Sequence, residues 1–171
     1  MGRRRLRWLP LAFVGVLGAL TPPAGAQEIW SGRTFVFEKT DYADWTQPAN
    51  QDRLTDRVWI TRADTQGIFN IAVEDHYTSL VSPEDTEWAT GDAVDWENLA
   101  FTAWQTWAAG YPPNTVGVDA VVHLITDDIY VDIRFESWTA QAMGGGFRYL
   151  RGTPAQPVSR TTWGAVKALF D

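Results

Sequence analysis

Between positions 123 and 132 the chain gathers four polar side chains that are capable of chemistry: His123, Asp127, Asp128 and Asp132. Carboxylates collected at a turn between two strands can converge on calcium, with backbone carbonyls completing the oxygen shell. Asp127, Asp128 and Asp132 are the metal candidates on that reading. Aspartate is equally at home in a turn without any ion, because its side chain bonds nearby backbone amides. His123 is a poor calcium ligand and suits a strand, part-buried and hydrogen-bonded. A second pattern overlaps the first. Tyr130, Asp132, Arg134, Glu136 and Trp138 recur at every second position, which in an extended strand puts all five on one face. Such a face suits a saccharide: aromatic rings stack on the apolar side of a sugar while carboxylates and guanidinium bond its hydroxyls. The same residues would also make a solvated sheet face, whose exposed charge ladder contributes under ~1 kcal/mol.

Other constellations carry less. Glu74, Asp75 and His76, with Glu84, Asp85 and Glu87, offer acids for glycoside hydrolysis, a reaction needing two carboxyls ~5 to 9.5 Å apart across the bond. Sequence spacing does not supply that distance. None of Ser31, Ser79, Ser82, Ser137 and Ser159 sits in a Gly-x-Ser-x-Gly turn. With no cysteine and only His76 and His123, far apart, the chain lacks the ligand spacing of a zinc site. Gly144–Gly146 precede neither a helix start nor a lysine, so they read as a flexible turn and not as a phosphate cradle.

The chain begins with Arg3, Arg4, Arg5 and Arg7, an apolar run from Leu9 to Leu20, and the small residues Ala24 and Ala26. This three-part order predicts a signal peptide over 1–26, cut after Ala26. The apolar run is too short for a stable membrane span and no second one follows, so no membrane contact is expected after cleavage. The expected mature chain keeps ten of the 14 basic residues, four going with the leader, and all 21 acidic ones, a charge of −11. That sign disfavours nucleic acid and anionic lipid. It points to an exported protein, secreted or periplasmic. Cysteine is absent although that compartment permits disulfides, so stability has to come from the core. Of ten tryptophans only Trp8 leaves with the leader, and most of the rest are expected to be structural.

The elements that would position these residues are mostly strands. Phe35 and Phe37 alternate at Thr34–Glu38. Val58–Arg62 and Ile68–Glu74 flank a turn at Asp64–Gly67, a hairpin in which Gly67 supplies backbone freedom. Ser82–Glu87 has turn chemistry and reads as a loop closed by Gly91 and Asp92. Trp96, Leu99, Ala100, Ala103 and Trp107 fall at helical spacing with Asp92 as a cap, which predicts one short helix. From Val121 to Arg151 the pattern is a meander: Val121–Ile125, a turn at 126–128, the long strand Ile129–Trp138, a glycine-rich loop, and Phe147–Arg151. Ile129, Val131, Ile133 and Phe135 form its core face. Trp163, Val166 and Phe170 predict a short terminal helix over 161–171. The expected architecture is one β domain over 27–160, an antiparallel β-sandwich or irregular barrel with one or two short helices.

Several segments, Ile60–Arg62 with Gln66–Asn70, Thr86–Ala89, His123–Leu124 with Asp127–Tyr130, and Gly144–Tyr149, together resemble a family of exported bacterial β domains to which no activity is attached. The resemblance spans most of 30–153 and implies the fold and the compartment alone. The functional expectation is a non-catalytic module that binds a saccharide or another extracellular ligand through Tyr130, Asp132, Arg134, Glu136 and Trp138, without a required cofactor. The alternatives are a calcium-stabilised structural or adhesive domain held by an envelope protein, and a small hydrolase using the acidic loops.

Overall fold

The computed structural model describes residues 27–30 and 32–155. The expected leader and the expected terminal helix lie outside these residues. In chain order the strands are β1 (Glu28–Trp30), β2 (Phe35–Lys39), β3 (Asp52–Arg53), β4 (Trp59–Arg62), β5 (Ile68–Asn70), β6 (Thr86–Thr90), β7 (Asp119–Leu124), β8 (Ile129–Trp138) and β9 (Phe147–Arg151). A single α-helical turn, α1 (Trp104–Trp107), precedes β7.

Two sheets result, as in a sandwich. The larger runs β2-β9-β8-β7-β6, all antiparallel, and the smaller runs β3-β4-β5. β1 adds itself in parallel beside Ile129–Val131 of β8, continuing the edge that β9 occupies from Ile133 onward. The core lies between the sheets. Ile129, Val131, Ile133 and Phe135 of β8 are all buried there, as their alternation predicts, against Leu54, Val58, Ile60 and Ile68 from the smaller sheet. Aromatic rings fill the rest of that space, with Phe37, Phe135 and Phe147 around Tyr149 at centroid distances of 5.4 to 5.9 Å. A disulfide-free domain can stand on such a core because each large ring removes ~150 to 250 Å² from water.

One buried ion pair ties the sheets together. Arg151 of β9 donates from Nε and Nη2 to the two oxygens of Asp52 of β3, at 2.6 and 2.8 Å, and the Tyr149 hydroxyl donates to the same carboxylate at 2.6 Å. Burial, with Asp52 beside it, pushes the Tyr149 phenol well above its ordinary range.

Four elements differ from expectation. Thr86–Thr90 is a strand, paired with β7, although the Ser82–Glu87 segment reads as a loop; its acidic start opens a strand whose Trp88 is buried. The expected helix of Trp96 to Trp107 is two short pieces. A 3-10 turn over Ala93–Asn98 is capped by Asp92, whose side chain accepts from Val94 N at 3.0 Å, and it ends where the chain extends so that Thr102 can bridge to Trp88. α1 follows. In the hairpin, Gln66 and not Gly67 takes the left-handed backbone, at φ +71°. Gly67 is needed for space: a Cβ there would lie 2.4 Å from the Tyr77 ring and 2.8 Å from Trp104. The Gly144–Gly146 loop likewise packs tightly, since a Cβ on Gly145 would lie 1.9 Å from the Ala63 carbonyl oxygen.

Candidate ligand-binding grooves

The five candidate residues of β8 do not share one face. Tyr130, Asp132, Arg134 and Glu136 point outward, but a β-bulge between Phe135 and Ser137 makes Glu136 the extra residue, so that Ser137 pairs with Arg148 and Trp138 with Phe147. An additional residue in one strand shifts everything after it to the opposite side. Trp138 therefore turns inward, within 5.5 Å of Trp104 and 5.9 Å of Phe147 by ring centroid. Tyr130 is not free either. The 93–101 segment folds across the outer sheet face and buries it, with Trp96 at 4.5 Å and Phe101 at 5.8 Å, and its ring stacks on His123 at 4.2 Å. That burial raises the Tyr130 phenol, helped by the nearby Asp128 and Glu87 carboxylates. The expected aromatic and acidic strip is thus divided among four surroundings.

Asp127, Asp128 and Asp132 separate in the same way. Asp127 meets Arg57 at 3.2 Å, Asp128 approaches His123 Nε2 at 3.4 Å, and Asp132 accepts from Ala93 N at 2.7 Å. Successive turn residues point apart and Asp132 lies further along β8, so the three carboxylates take three different partners. Among the described residues no three His, Asp or Glu side chains come together as a metal cluster. His123 is part-buried and hydrogen-bonded, its Nδ1 2.8 Å from Glu87 Oε1.

The acidic loop residues also have local partners. Glu74 Oε2 accepts from Asn70 N at 2.6 Å and Glu84 N at 2.9 Å, and Asp85 Oδ1 accepts from Thr126 N and Oγ1 at 3.0 and 2.7 Å. These bonds order the β5–β6 connection and hold it to the β7–β8 turn.

Asp132 and Arg134 do reach a groove, an open one of about 810 Å³ lined also by Asp92, Asp95 and Asp119. Its charges are largely answered from within. Arg134 pairs with Asp119 at 2.8 Å, Asp92 caps the 3-10 turn, and Asp132 anchors that turn through Ala93 N. Burial pushes the Asp132 carboxyl up, against the Ala93 N–H, which favours its charged form.

Trp138 lines a second groove, of about 360 Å³, with Tyr77, Tyr111, Gln66, Gln105 and Arg62. Three elements position it: the hairpin end brings Arg62 and Gln66, α1 brings Gln105, and the bulged end of β8 brings Trp138. Arg62 lies over the Trp138 ring at 3.9 Å and is 1% exposed. Its guanidinium donates to the carbonyls of Gln66, Gly146 and Thr139 at 2.8, 3.0 and 2.9 Å. Burial brings it down to about 10, the Asp41 charge opposing, and it stays protonated at neutral pH. Gln105 Oε1 accepts from Tyr77 Oη at 2.7 Å, from Ser79 Oγ at 3.4 Å and from Leu80 N. Among the described residues the groove is lined by rings, amides, prolines and the Arg62 guanidinium, with no carboxylate. Sequence reading missed Arg62, Gln66, Tyr77, Gln105 and Tyr111. They are scattered over fifty positions, and only the fold brings them to Trp138. The one signal in sequence was the hairpin that carries Arg62 and Gln66.

Among the described residues no helix is long and apolar enough to cross a membrane. No protein-family model matches this chain, and neither a curated protein nor a solved structure is found similar to it.

Proposed function

We propose that this is an exported, non-catalytic binding module that holds a saccharide in the groove between Tyr77, Gln105 and Trp138. The observation that carries the reading is the groove's composition: in a chain with 21 acidic residues, its lining among the described residues combines aromatic rings and glutamine amides and contains no carboxylate. Rings offer the apolar face of a sugar a surface, and amides exchange hydrogen bonds with hydroxyls as donor and acceptor. A volume of about 360 Å³ lies within the range of small-ligand sites. Glycosidic hydrolysis needs a carboxyl pair, and the described residues lining this groove include none.

A glycan array followed by titration calorimetry tests the proposal, with Tyr111→Ala as the variant. Tyr111 lines the groove and is 54% exposed, so its ring can be removed without opening the core. Saccharide binding weakened about fivefold or more by the variant is the expected result, the scale of one aromatic contact. Absence of binding to every glycan, or binding indifferent to Tyr111→Ala, would sink it. A second reading, a structural or adhesive domain held by an envelope protein, is favoured by Val73, Leu80 and Val81, all exposed on the β5–β6 connection.

A further inference from the structure

We infer that the ligand of the Tyr77–Trp138 groove is an acidic saccharide, one whose sugar ring carries a carboxylate; this rests on the saccharide reading above. Among the described residues Arg62 is the one charged residue lining the groove. It forms no ion pair within 4.0 Å among the described residues, and the acceptors it does meet are the carbonyls of Gln66, Gly146 and Thr139, which leave its charge in place. The charged groups nearby are Asp41, Lys39 and, beside Lys39, Asp64, and none of these three lines the groove. Asp41 is turned to Gly146 N at 2.8 Å. The four charges, two of each sign, cancel as a set, but Arg62 is the member that lines the groove.

Hydrogen bonding points the same way. Three donors occupy Gln105 Oε1, so the carbonyl end of that amide is committed to the 77–80 segment and the end left for a ligand is its NH₂, a donor. Guanidinium charge and amide donor both favour an acceptor with negative charge. The protein as a whole, with 21 acidic against 14 basic residues, repels such a group, so this groove is where an anionic sugar is admitted.

The test compares a galacturonate trisaccharide with the galactose trisaccharide of the same linkage, which differs only in having its carboxylates reduced, by calorimetry on the full exported chain. Gln66→Glu supplies the charge control. Gln66 is exposed on the hairpin, and Glu occupies its place with nearly the same shape. The uronate is expected to bind about tenfold or more tighter than its neutral counterpart, and Gln66→Glu to erase that preference. Equal affinity for the two sugars, with both weakened by Tyr111→Ala, would overturn the acidic ligand and keep the saccharide site. A preference for the uronate that survives Gln66→Glu would also overturn it, since the charge would then be read elsewhere. Binding of neither sugar would overturn both readings.

Discussion

Replacing Asp52 by Ala should unfold this domain at a markedly lower temperature, because that carboxylate accepts three hydrogen bonds in the core. Asp52 is 3% exposed and Arg151 8%, with donor distances of 2.6, 2.8 and 2.6 Å from Arg151 Nε, Arg151 Nη2 and the Tyr149 hydroxyl. Truncation leaves a guanidinium charge without its counter-ion and a phenol without its acceptor. Breaking a buried pair from one side costs ~3 to 5 kcal/mol, a large part of the ~5 to 15 kcal/mol that holds a domain together. At ~3 °C per kcal/mol for a domain of this size the melting temperature falls by roughly 10 to 15 °C. Urea titration followed by tryptophan fluorescence, beside thermal melts, measures both quantities. The triple change Asp52→Leu, Arg151→Met, Tyr149→Phe removes every partner at once and should recover most of the loss, since apolar groups of similar volume replace buried pairs at little net cost. A loss under ~1 kcal/mol in Asp52→Ala, or a triple variant no more stable than the single one, would show that the penalty is not that of an orphaned charge. The pair also sets an alkaline limit. The Tyr149 phenol is raised well above 10.0, so the folded state holds this proton more tightly than the unfolded one. Its contribution is whole below pH 10 and is lost as pH rises through the folded value, and Tyr149→Phe should remove that part of the alkaline unfolding.

Ile133→Ala should cost ~2 to 5 kcal/mol, because Ile133 is 4% exposed on the core face, whereas Glu136→Ala, at the bulge, should cost far less; similar losses in urea would contradict the register of β8. Gly110→Ala and Gly145→Ala separate backbone strain from space: both glycines have positive φ, +72° and +68°, but only Gly145 faces a neighbour, so Gly110→Ala should cost ~1 to 2 kcal/mol and Gly145→Ala more, and equal melting temperatures would refute the clamp. Asp132→Asn keeps an acceptor for Ala93 N and removes a carboxylate whose burial raises it above 3.8. A raised acid subtracts stability where it is ionised, so the variant should melt higher than the parent at neutral pH and level with it below about pH 3; an advantage that persists in acid would sink this assignment.

The meander and the hairpin were legible in the sequence because both show period-two alternation closed by turn residues: Ile129 to Phe135 supplies the core face of β8, and Ile60 pairs with Asn70 across the hairpin. Thr86–Thr90 was hidden because Pro83, Glu84 and Asp85 give its start the composition of a turn, while pairing with β7 decides its state. The Trp96–Trp107 spacing suggested one helix. Trp96 packs on Tyr130 and Trp107 stacks on Trp88, on opposite sides of the larger sheet, so the chain between them has to extend. The candidate residues on β8 do not form the single face that their alternation suggested. Nothing in alternation counts distinguishes Glu136 from its neighbours, since a bulge is settled by what β9 offers opposite. The groove round Trp138 depends on contacts between residues far apart in the chain, which periodicity does not register.

The bulge at Glu136 has a bearing on how relatives of this chain should be aligned. From Ser137 to the end of β8, inward and outward positions are set by one inserted residue and not by the identity of any side chain. A related sequence lacking that residue would need a gap there; aligned without one, it would pair each core position beyond the bulge with a surface position of its neighbour. Trp138 would then seem to be replaced by a polar residue although the ring remained in place. In this family of shapes, a length difference at one position is a better marker of the groove than the residue type at any single site.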